Sequence, residues 1–74
     1  MAVRVLSTLG KKRPRALFEV DQLVKTLEKG ERVEVSADDP GFSVDLRAWC
    51  RRTGHLLCDL RREGEVVIVL IEKR

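Results

Sequence analysis

The chain of 74 residues has no tyrosine, one tryptophan and two phenylalanines. Its core must therefore be aliphatic, packed from Leu, Val and Ile rather than from rings. Asparagine is absent and glutamine occurs once, a composition that, with abundant Arg, Glu, Val and Leu, resembles that of proteins from hot environments. Two cysteines, Cys50 and Cys58, are no disulfide framework of the secreted kind. With the lone histidine, His55, they are one ligand short of a finger-like zinc site, so neither a metal nor another cofactor is expected. No apolar run is long enough to cross a bilayer, and residues 1–10 lack the apolar segment of a secretion signal. The expectation is a single cytoplasmic domain over 1–74 with one modest core.

The formal charge of +3 is too small to imply nucleic acid by itself. Its distribution says more. Lys11, Lys12, Arg13 and Arg15 crowd the segment Gly10–Arg15, which holds no acid.

Alternation at Val3, Val5 and Ser7 predicts a short strand over residues 2–8, broken by Gly10. Pro14 suits the first turn of a helix. Ala16, Leu17, Val20, Leu23, Val24 and Leu27 then mark one face of a helix running to about Lys29, with Gly30 as its stop. Residues 32–36 alternate as a strand with Val33 and Val35 inward. Asp39 before Pro40 reads as an N-cap. Phe42, Leu46, Trp49, Cys50 and Thr53 form the apolar face of a second helix ending at Gly54. Residues 55–62 and 66–71 read as two strands joined through Glu63-Gly64. The order β-α-β-α-β-β gives an α+β two-layer sandwich: a four-stranded mixed sheet with both helices on one face. The last strand is apolar on both faces, so it either lies centrally or is covered by a second copy in a homodimer.

The basic segment opposes helix electrostatics. A helix N-terminus carries partial positive charge and unpaired N–H groups, and cations there cost roughly a few tenths of a kcal/mol each. A solvated basic turn is the plain explanation. The sharper one is a place built to hold an anion, either a phosphate or an acidic protein surface.

The runs Ala37-Asp38-Asp39-Pro40-Gly41 and Asp45-Leu46-Arg47-Ala48-Trp49-Cys50-Arg51-Arg52-Thr53-Gly54-His55, closed by Ile71-Glu72-Lys73, resemble the TusA/SirA family of small sulfur carriers. The resemblance extends from Leu6 to Lys73 and implies the same β-α-β-α-β-β order. The family's motif is Gly-Leu-x-Cys-Pro-x-Pro, whose cysteine, at a helix N-terminus, carries persulfide sulfur between proteins. Here the segment reads Gly10-Lys11-Lys12-Arg13-Pro14-Arg15-Ala16. Gly10 and Pro14 remain, Arg13 replaces the cysteine, and Ser7 replaces an aspartate usual in the first strand. An arginine cannot hold a persulfide, so no catalytic residue is assigned at this position.

Cys50 on an apolar helix stripe and Cys58, in phase with Leu56 and Leu60, read first as packing residues. A relocated thiol at Cys58 or Cys50 is the alternative, with Arg61 and Arg62 near Cys58 to lower its pKa. His55 reads as structural, and Asp38 and Asp39 as capping rather than acid–base residues. Arg47, Arg51 and Arg52 decorate the second helix and would extend the basic surface if the helices pack side by side. Phe18, off the main stripe, is the one aromatic candidate for exposure.

Three functions follow. A non-catalytic adaptor or regulator would dock a sulfur-relay protein, or another acidic partner, through Lys11, Lys12, Arg13, Pro14 and Arg15. An RNA- or phosphate-binding domain would use the same residues. A persulfide carrier would use the relocated thiol.

Overall fold

The computed structural model describes residues 3–12 and 14–74. The elements are β1 (Val3–Ser7), α1 (Arg15–Lys25), β2 (Arg32–Ala37), α2 (Phe42–Thr53), β3 (Leu56–Glu63) and β4 (Val66–Glu72). The strands form one sheet in the order β1-β2-β4-β3. β1 runs parallel to β2, while β4 is antiparallel to both of its neighbours. The architecture is the four-stranded mixed sheet with two helices that the order predicts.

One face of the sheet makes the core. Val33, Val35 and Ala37 stand opposite Ile71, Val69 and Val67, and all six are buried. Ala16, Val20 and Val24 of α1 and Phe42, Leu46, Trp49 and Cys50 of α2 join them. Burying a side chain the size of Leu46 or Phe42 contributes about 1.5–3 kcal/mol each, which is how so aliphatic a core holds a small domain.

β4 is apolar on both faces because it is central. Its outer residues Ile68 and Leu70 stay half-buried under ion pairs between the neighbouring strands. Arg61 of β3 lies opposite Ile68, Glu34 of β2 lies opposite Leu70, and their side chains meet at 3.9 Å above the strand between them. Arg32 and Glu72 pair at 3.0 Å further along. The alternation in β1 points outward instead: Val3, Val5 and Ser7 share this open face and Val5 is 74% exposed, whereas Leu6 packs inward.

Three local expectations are corrected. α1 ends at Lys25, about one turn before Gly30. Thr26 folds back with both its N–H and its hydroxyl on Leu23 O, Leu27 N–H turns to Val24 O, and the Lys73 ammonium caps Val24 O at 2.8 Å. Leu27 is still buried beyond the helix end. The N-cap of α2 is Gly41 rather than Asp39: Phe42 N–H bonds the Asp39 carbonyl, and the Asp39 side chain accepts the Gly41 N–H at 3.4 Å in the turn leading into the helix. β3 carries a register shift between Leu57 and Asp59, so Leu57 and Leu60 both face the core three residues apart. Cys58 sits at that irregularity, out of the simple phase with Leu60. The hairpin turn has Gly64 at φ +64° as the first of its two residues, a position that requires glycine.

Candidate functional site

The segment between β1 and α1 is held from three sides. Thr8, fully buried, donates its N–H and hydroxyl to Ser36 O at 2.8 and 2.9 Å, anchoring the end of β1 beside β2. Lys11 N–H closes a turn onto Thr8 O, with Gly10 at φ +79° in the third position, where a side chain would be strained. Gly10 N–H in turn donates to both Asp38 oxygens, at 3.0 and 3.1 Å. Asp38 thus ties the β1–α1 segment to the β2–α2 segment, a role not visible in a sequence where the two groups lie 28 positions apart.

Of the basic residues, Lys11 is neutralised locally: its ammonium meets both Glu19 oxygens at 2.8 Å. Lys12, Pro14 and Arg15 are exposed, and among the described residues neither Lys12 nor Arg15 closes an ion pair. Arg13 lies outside the described residues. α1 has no side-chain cap and no acid in its first turn. Its first N–H groups are occupied from within, since Arg15 N–H and Ala16 N–H both donate to Lys12 O and Phe18 N–H to Pro14 O. An anion here would be met mainly by side-chain charge rather than by helix N–H groups. A hollow of about 250 Å³ opens beside the segment, lined by Gly10, Lys11, Lys12, Asp38, Asp39 and Pro40.

On the other side of Pro14 the two helices leave a groove of about 310 Å³, with Leu17, Phe18 and Asp21 on one wall and Trp49, Arg52 and Thr53 on the other. Asp21 accepts a bond from Trp49 Nε1 at 3.1 Å and pairs with Lys25 at 3.1 Å. The indole bond first and Lys25 second hold its carboxyl below the usual range. Phe18 is 61% exposed at the lip of the groove. Arg52 joins α1 across it, whereas Arg47 and Arg51 line none of its walls.

The thiols lie elsewhere. Cys50 is 7% exposed, and burial chiefly, with the Cys58 thiol second, pushes its pKa up, the direction that disfavours a thiolate. Cys58 is half-buried at the β3 irregularity, with Leu56 O 4.0 Å from its sulfur. His55 stacks at a tilt 5.3 Å from Trp49, and its Nδ1 accepts the Arg74 N–H, a structural placement. No helix is long and apolar enough to cross a membrane, and no group of three or more His, Cys, Asp or Glu converges among the described residues.

The family model described as Sulfurtransferase TusA matches residues 5–73, and the chain belongs to that family. Among similar proteins, YrkI of Bacillus subtilis is 33% identical over 70 residues, covering 95% of this chain and 93% of the relative. YrkF of the same organism is 33% identical over 72 residues, and a protein of Aquifex aeolicus 27% identical over 70. All three are named as candidate sulfur carrier proteins. The chain spans 39% of YrkF and 36% of the Aquifex protein, so those relatives carry a further part that this chain does not match.

Proposed function

We propose that this chain is a TusA-family domain that docks a protein of a sulfur relay, in the cytoplasm, without itself carrying sulfur at the family's position. One observation carries the reading: Arg13-Pro14 stands where the family motif has Cys-Pro. A persulfide needs a thiolate to bear the second sulfur, and a guanidinium offers none. The rest of the segment supports docking. Gly10 keeps its turn, Asp38 fastens it, and Lys12 and Arg15 stand exposed without an internal counter-charge among the described residues. Cations at a helix start work against the fold, and an acidic partner surface would offset that cost.

The test is incubation with a cysteine desulfurase and cysteine, followed by intact-mass measurement. The wild-type chain should gain no sulfur, Arg13→Cys should gain one persulfide sulfur, and Lys12→Glu with Arg15→Glu should weaken capture by the relay protein. Sulfur on the wild type that disappears after alkylation of Cys58 or Cys50 would replace this reading with the relocated-thiol carrier. RNA binding is the second reading, favoured by one observation: Phe18 is exposed beside Arg15, as a base-stacking ring would be. It requires RNA affinity that falls steeply with salt, and a shallower slope in Lys12→Ala.

A further inference from the structure

Phe18 is a large apolar side chain left 61% exposed on a helix whose other large apolar residues pack inward. A single exposed ring needs no explanation. This one is not isolated. Hollows flank it on both sides: the groove of about 310 Å³ toward α2, and a second of about 520 Å³ lined by Pro14, Arg15, Phe18 and Glu19. Pro14, Leu17 and the Trp49 ring give the groove largely apolar walls. Such a surface, with a ring standing between two recesses, receives apolar side chains at helical spacing from a partner.

The charge around it is one-sided. Of the acids that line the two hollows, Glu19 is held by Lys11 and Asp21 by Trp49 and Lys25. Two cations remain at the rim. Arg15 lines one hollow, and Arg52 lines the other within reach of Asp21's charge. Neither closes an ion pair among the described residues. An apolar centre with a cationic rim fits an occupant of the opposite design. We infer that the Phe18 surface is a docking site for an acidic amphipathic helix of a partner protein, its apolar side chains seated on both sides of Phe18 and its carboxylates facing Arg15 and Arg52. RNA would set its phosphates against the same cations, and the experiment below tells the two occupants apart. The inference rests on the docking role proposed above and assigns it a surface and a partner chemistry.

The probe is a fluorescein-labelled synthetic helical peptide with Leu at alternating three- and four-residue spacing and Glu on its remaining surface. A twin carries Lys for every Glu. Binding is read by anisotropy, and the footprint by amide and indole NMR shifts of the labelled domain. The Glu peptide should bind, shifting Leu17, Phe18 and the Trp49 indole, and the Lys twin should not. Phe18→Ala should weaken it about tenfold or more without lowering the melting temperature. Gln22→Ala, also exposed on α1 but outside both hollows, should leave binding unchanged. The proposal is overturned if the Glu peptide does not bind, if the twin binds equally, or if the shifts fall on the open sheet face around Val5 and Ile68. It is equally overturned if single-stranded RNA displaces the peptide and binds in a Phe18-dependent way. Peptide binding at Phe18 together with sulfur loading of the wild type would sink the non-carrying reading and leave this surface standing. No peptide binding with no sulfur loading does the reverse.

Discussion

The two helices of this domain are built by opposite rules at their starts. α2 has Asp45 in its first turn, Arg51 and Arg52 in its last, and ends on Gly54 in the left-handed conformation at φ +84°. Every one of those choices agrees with the helix dipole and with the chain's need to leave the helix. α1 has no acid in its first turn, and the segment leading into it carries Lys11, Lys12, Arg13 and Arg15. Both helices bury equivalent stripes against the same sheet, so packing does not explain the difference. Where local chemistry and fold agree, as in α2, the residues stabilise the domain. Where they conflict, as before α1, the docking proposed above supplies a reason from outside the fold.

Mutations can break that contrast in order of size. Leu46→Ala removes a fully buried side chain of α2 and should cost about 2–5 kcal/mol, seen as a large fall in denaturation midpoint. A smaller loss, about 1–3 kcal/mol, is expected for Trp49→Phe, which takes the indole donor from Asp21 and uncouples the helices where they meet. Its NMR-monitored Asp21 titration should move up toward the ordinary value. Arg15→Glu should act in the opposite direction, raising stability by roughly a few tenths of a kcal/mol while weakening partner binding. If Arg15→Glu destabilises the domain, the claim that α1's start is unfavourable to the fold fails. The smallest effect concerns pH. Burial first and the Lys73 charge second lower the pKa of His55, with Asp21 opposing. The unfolded chain therefore binds a proton at His55 before the folded one does. The contribution is complete above the ordinary value of 6.5 and is lost as pH falls from there toward the folded pKa. Melting curves between about pH 7 and about pH 5 should slope less steeply in His55→Gln than in the wild type.

Much of this was legible in the sequence, and the misses have physical causes. The element order and the core of α1, β2 and α2 follow from periodicity, because Val20, Val24, Val33, Val35, Leu46 and Trp49 are buried where their spacing puts them. The exposure of Phe18 also follows from its place off the stripe. At β1 periodicity gave the strand but not its buried face: the alternating valines face outward, because the strand is an edge and Leu6 alone supplies its inward contact. Periodicity misled at β3, where one irregular residue changes the phase and separates Cys58 from Leu60. The Lys11–Glu19, Gly10–Asp38 and Trp49–Asp21 contacts could not be read at all. Each joins residues that no helix or strand period relates, and only the packed fold brings them together.

We propose that the site before α1 binds and does not transfer, with Arg13 at the position that the motif resemblance gives to the family's cysteine. The most direct measurement is the intact mass of the wild-type chain and of Arg13→Cys after incubation with a cysteine desulfurase and cysteine. The account predicts an unchanged wild-type mass and one added sulfur on Arg13→Cys. A wild-type chain that gains sulfur would contradict it.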